Sequence, residues 1–139
     1  MVVINSSNYV ETAEKVIKSM IEKDKWGNEK IALSTSKIRN ILSMISGLYN
    51  DVVMLREDKL SAEFVSRIKY IKMRFAYEIG REESNNGRNK KNVVKDFVDK
   101  AQIFKIMDSI NDSTDDLILF CNYMEALVAY HKFYGGSDK

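Results

Sequence analysis

The sequence predicts an all-α fold, a compact bundle of about five helices, and three observations carry that prediction. The 139 residues include no proline and only six glycines, so the residues that break or weaken helix interiors are scarce. Apolar residues recur three and four positions apart through five separate segments, the spacing of amphipathic helices. No segment sustains the period-two alternation of β-branched residues that marks a strand, and no internal repeat is visible. With 45% hydrophobic residues, a chain of this length can bury one core. A single helical domain over 1–139 is expected, with 135–139 as a polar tail.

The first helix is expected from about Tyr9 to Lys25. Asn8 can cap it and Glu11 completes a capping-box pattern, while Val10, Ala13, Val16, Ile17, Met20 and Ile21 form its apolar face. Trp26-Gly27-Asn28 then interrupts the pattern. The second helix runs from about Thr35 to Leu55 with Ser34 as cap, on a stripe of Ile38, Ile41, Leu42, Ile45, Leu48, Tyr49 and Val52. Gly47 interrupts that stripe, by allowing either close packing or a bend.

Ser61 opens the third helix, Ala62 to Glu82, whose inner face is Phe64, Ile68, Ile71, Phe75 and Ile79. The polar segment Glu83 to Asn92 reads as an exposed loop. A fourth helix, Val93 to Ile110, follows, with Val94, Phe97, Val98, Ala101, Phe104 and Met107 inward. Asn111-Asp112-Ser113 is a turn. The fifth helix, Thr114 to Phe133, is capped by Ser113, and Asp115 and Asp116 complement its dipole. Its apolar residues are too numerous for one face, which predicts a central helix. Gly135-Gly136 supplies its stop.

Composition excludes several classes of function. The net charge is +2, so affinity for nucleic acid must come from a local patch. Cys121 is the only cysteine and sits in an apolar run, which reads as a buried reduced thiol. Met1 to Asn8 carries too short an apolar stretch for a signal peptide, and no run approaches the ~20 residues that span a bilayer. A cytoplasmic location is expected. No cofactor or metal is expected either: there is no Cys/His cluster, no EF-hand spacing and no phosphate-binding glycine loop. His131, the single histidine, reads as a cap on terminal carbonyls or a filler of a groove. No nucleophile stands beside a base in a known pattern, so an enzyme is not expected.

One pattern points to a surface. Arg67, Tyr70, Arg74, Tyr77 and Arg81 follow each other at +3, +4, +3 and +4. On a 3.6-residue helix they make a stripe about 20 Å long, centred roughly 120° from the apolar face. Arginine forks match phosphate, and tyrosine stacks on bases or bonds a 2′-hydroxyl. Lys69 and Lys72 lie off the stripe but add local charge. Further basic clusters are Arg88, Lys90, Lys91 and Lys95, and Lys37 with Arg39. Cations near a helix start oppose its dipole, so stability does not ask for Lys37, which leaves room for a binding role. Each cluster is also what a solvated helix face looks like, and the residues alone leave both readings open.

Four segments in order carry a family resemblance. Leu33 to Leu42, with Ser34-Thr35-Ser36-Lys37-Ile38-Arg39, resembles the "L-T/S-T-S-x-I-R" opening of the small subunit of the type III-A (Csm) CRISPR effector complex. Met73 to Glu82 is similar to its "F-x-Y-x-x-G-R-E" segment, and Val94 to Ala101 to its "V-K-D-x-x-x-K-A" helix. Most specific is Tyr123 to Gly136, close to "Y-M-E-A-L-V-A-Y-x-K-F-Y-G-G". The segment from Ser84 to Asn92 looks longer here than in other members.

The resemblance implies a small helical protein, repeated as a minor filament beside the duplex of guide crRNA and target RNA. Its implied partners are the large subunit, the backbone subunits and further copies of itself. Nuclease and cyclic oligoadenylate chemistry belong to those other subunits. Base pairing reads the sequence, so the small subunit contacts backbone and shape alone. Lys37, Arg39, Arg74 and Arg81 match basic positions of the family segments. Arg67 and Tyr77 join them on geometry, Tyr70 on the same stripe and Lys69 as local charge complete the helical set, and Lys90 and Lys91 extend it into the loop. Two other classes stay open: a helical adaptor without RNA contact, and a helix-turn-helix DNA regulator.

Overall fold

A computed structural model describes residues 4–86 and 92–136, with the side chains of 83–86 left aside. The chain runs α1 (Tyr9–Ser19), β1 (Ile21–Lys23), β2 (Glu29–Ile31), a 3-10 turn (Thr35–Lys37), α2 (Arg39–Val52), α3 (Ala62–Asn86), α4 (Val93–Lys100), α5 (Ile103–Ile110) and α6 (Thr114–Phe133). The fold is mostly α, as the apolar periodicity predicts. Helix α6 is the hub, packed against α1, α2 and α5. Leu117, Phe120, Cys121, Tyr123, Met124 and Leu127 are all buried on it, because a helix apolar all round finds its place inside.

The first expected helix is cut short at Ser19. The chain from Ile21 to Ile31 turns back as a small antiparallel hairpin, with Ile21 opposite Ile31. The Asp24 carboxylate accepts the N–H groups of Trp26 at 2.9 Å and Asn28 at 3.0 Å, and Gly27 adopts φ +84°. These contacts pin a turn that only Gly, Asn or Asp accommodates readily. Strands of three residues are too short to register as alternation. The expected Asn8 capping box is also absent: the Asn8 side chain accepts from the Asn5 N–H at 2.7 Å instead.

The second expected helix divides. Ser34 makes no capping bond, and its hydroxyl lies 2.9 Å from that of Ser36. Ile38, buried at 3% exposure, leaves helical geometry between the 3-10 turn and α2. Gly47 sits inside α2, where a Cβ would meet nothing within 4 Å. Close packing therefore does not require it, although glycine costs a helix about 1 kcal/mol relative to alanine.

Helix α3 continues past Glu82 to Asn86, so the start of the expected loop is helical. Arg88, Lys90 and Lys91 lie outside the described residues. Asn92 closes the connection: its Nδ2 donates to the Ile79 carbonyl at 2.8 Å, and its Oδ1 accepts the Lys95 N–H at 3.0 Å. One side chain thus holds α3 and caps α4.

The largest departure lies between α4 and α5, expected as one helix. Gln102 adopts φ +54°, a left-handed conformation that costs a non-glycine residue roughly 1–2 kcal/mol. The Tyr123 hydroxyl donates to the Ala101 carbonyl at 3.0 Å within the core. The break is thus braced from α6, a contact invisible in the local sequence. The Asn111–Ser113 turn and the Ser113 cap form as expected, with the Asp116 N–H 3.2 Å from the Ser113 hydroxyl.

Burial pushes the Cys121 thiol up from 9.0 to about 12 and the Tyr123 phenol up from 10.0 to about 12. The fold favours both neutral forms. Their contribution is complete below about pH 9 and is lost as pH rises from there toward 12. Thermal melts across pH 8 to 11 should therefore fall steeply, and C121A should flatten that fall.

At the end of α6, His131 is buried and its Nε2 lies 2.7 Å from the Leu33 carbonyl. The carbonyl can only accept, so Nε2 carries the proton. The ring ties α6 to the strand-to-α2 connection and does not cap its own helix. Gly135 takes φ +92°, and a Cβ on Gly136 would collide with the His131 ring. G136A should cost about 1–2 kcal/mol through that overlap. G80A, at an exposed helical position with open space around it, should be neutral or stabilising. Chemical denaturation of the two variants measures the contrast.

Candidate nucleic-acid interface

Helix α3 separates its two faces as its periodicity requires. Ile68, Ile71 and Phe75 are buried, with Phe64 and Ile79 packed at the edge of the same core. On the outer side Tyr70 and Tyr77 are 52% and 55% exposed, with Met73 between them. Arg67 and Arg74 are partly buried at their stems and Arg81 is more open. The Arg74 guanidinium lies 5.0 Å from the Tyr77 ring centroid, a cation–π contact between the two side chains. Lys69 is exposed, and Lys72 pairs with Asp108 at 2.6 Å.

Acids lie beneath the arginines. Glu78 is buried, 3.4 Å from Arg74 and 3.5 Å from Arg81. Arg67 reaches across to Asp51 on α2 at 2.8 Å. Glu82, also buried, accepts from the Lys37 ammonium at both carboxylate oxygens, at 2.7 and 2.8 Å. Lys37 therefore does serve stability, contrary to the sequence expectation: it neutralises a carboxylate that burial would otherwise penalise. Ser36, Lys37, Glu78, Arg81 and Glu82 line one polar cavity of about 150 Å³.

The structure thus brings Lys37 to the Arg74–Arg81 end of the stripe, across 45 residues of chain. Arg39 is exposed on the first turn of α2, and Lys95 pairs with Asp99 at 3.3 Å on α4. Glu78 and Glu82 were not singled out by the sequence reading. The signal that finds them is their place on the helical wheel: Glu78 falls between the apolar stripe and the arginines, and Glu82 falls on the apolar stripe itself. Trp26, 74% exposed at the hairpin tip with Lys25 over its ring at 4.5 Å, gives no such signal. Among the described residues no three His, Cys, Asp or Glu side chains gather as a metal site would need, and no helix is long and apolar enough to cross a membrane.

The fold and this face define a small, mostly helical protein with arginine and tyrosine lined along one helix. The family profile described as Csm2 Type III-A matches residues 10–137. The chain is 42% identical over 138 residues to the CRISPR system Cms protein Csm2 of Streptococcus thermophilus, covering 99% of this chain and 100% of that one. It is 35% identical over 132 residues to the protein of the same description from Mycobacterium tuberculosis, covering 95% of each. A third relative, from Enterococcus italicus, is 36% identical over 122 residues, covering 84% of this chain and 81% of that one. The chain belongs to the Csm2 type III-A family, the small subunit of the type III-A CRISPR effector complex.

Proposed function

We propose that this chain is a non-catalytic subunit that lies along the crRNA–target RNA duplex and grips its backbone without reading bases. The observation that carries this reading is the outer face of α3. It holds three arginines and two half-exposed tyrosines in one line, with buried Glu78 paired to Arg74 and Arg81. Arg67, Arg74, Arg81 and Lys37 meet phosphate, Tyr70 and Tyr77 meet ribose or base, and Arg39 and Lys69 add charge at the margins. Lys90 and Lys91 extend the contact. The other subunits and further copies of this chain complete the groove, and the assembly works in the cytoplasm in antiviral defence.

Reconstitution of the complex with and without this chain tests the reading through protection and affinity of target RNA. Affinity should rise with the chain present and be indifferent to target sequence once pairing is matched. It should fall with salt by about 0.7–0.9 log units per log unit for each phosphate contact. Equal protection in its absence overturns the reading. One observation favours a second function, a helical adaptor: every arginine of the stripe already has an acidic partner. An adaptor predicts that losing the arginines disrupts assembly and leaves RNA affinity per assembled complex unchanged.

A further inference from the structure

Gly47 has no structural reason to be glycine. It lies inside α2 without a positive φ, and a Cβ there would meet nothing within 4 Å. Alanine would make a better helix. The bare backbone instead forms one wall of a groove of about 690 Å³ between α2 and α3, a volume in the range of roughly 300–1,000 Å³ typical of ligand sites. Met44 and Ile71 also line the groove and supply its apolar part. Tyr70, half-exposed, brings a ring and a hydroxyl, and Ser66 a second hydroxyl. Arg67 belongs both to this groove and to the stripe, and its guanidinium meets Asp51, one turn beyond Gly47 on α2.

From this placement we infer that the α2–α3 groove is a ribonucleotide subsite, in which a ribose of the bound RNA seats against the Gly47 backbone. The inference deepens the reading of α3 as an RNA-contacting face and rests on it. A ribose is a compact ring with an apolar side and hydroxyls at its edge. The apolar lining and the Tyr70 ring take the first, and Ser66, the Tyr70 hydroxyl and the Glu63 carboxylate, also on the groove, bond the second. Arg67 exchanges Asp51 for the adjoining phosphate, which its fork fits. Close approach of a ligand to backbone is the use that offsets the cost of a helical glycine.

The test uses the full chain, alone and reconstituted in its complex, with a guide-complementary target RNA as probe. G47A should melt at or above the wild-type temperature yet bind target RNA more weakly. G47L should bind roughly tenfold more weakly, as a side chain forced into occupied space does. Alkylation of G47C should be slowed by target RNA; the chain's own Cys121 is 3% exposed and stays silent. If these variants bind like wild type while R67A/R74A/R81A loses affinity, the groove inference falls and the proposed function stands. If neither set loses affinity, the proposed function itself falls. Destabilisation by G47A, or loss of G47L from the assembled complex, would also overturn the inference, because the glycine would then serve packing or a subunit contact.

Discussion

Replacing Tyr123 with alanine should lower stability by about 4–5 kcal/mol, close to unfolding a domain of ordinary stability. Tyr123 is fully buried at the centre of α6, so truncation opens a cavity the size of an aromatic ring. Its hydroxyl also satisfies the Ala101 carbonyl, freed where α4 breaks at Gln102. Alanine therefore removes packing from the hub and the brace from the break between α4 and α5. Y123F separates the two effects. It keeps the ring and abandons the carbonyl, and should cost about 1–2 kcal/mol. Urea titrations followed by circular dichroism measure both. A Y123F variant as stable as wild type would show that the break holds without its brace.

The second large effect concerns RNA. R67A/R74A/R81A in the reconstituted complex should weaken target RNA binding roughly 100-fold, at about 1.4 kcal/mol for each tenfold and roughly 1 kcal/mol for each phosphate contact. The salt dependence of log affinity should become shallower by about two to three. The variant also strips Glu78 of both its arginines while leaving it buried, so it should lose about 1–2 kcal/mol of stability as well. Adding E78Q removes the stranded charge. The quadruple variant should regain most of that stability and none of the affinity. Recovery of RNA binding with E78Q would mean the arginines act through the fold. Exposed ion pairs alone contribute little to stability, typically 0–1 kcal/mol, so the binding and folding readouts can be told apart.

Much of the fold was legible because helix periodicity is a local property. Apolar positions three and four apart placed α3 and α6 near their true limits. The Ser113 cap and the Gly135 stop depend on residues within one turn of chain. The Arg67–Arg81 stripe was legible for the same reason: a regular helix turns spacing directly into direction. What escaped were features settled by distant partners. The hairpin after α1 depends on Ile31 finding the core and Asp24 holding the turn. The partner of His131 is 98 residues away, and that of Lys37 is 45 away.

By itself, then, the sequence determined that the fold is mostly helical, which faces of its helices are apolar, and that one face of α3 carries arginine and tyrosine in line. Only the tertiary structure decided how that face is tuned. Buried Glu78 and Glu82 hold its cations in place, Lys37 joins it from another element, and Gly47 opens a groove at its edge. Spacing along one helix is set by backbone geometry, which each residue carries with it. Partnership between charges on separate elements exists only after the core has brought those elements together, so no local pattern records it.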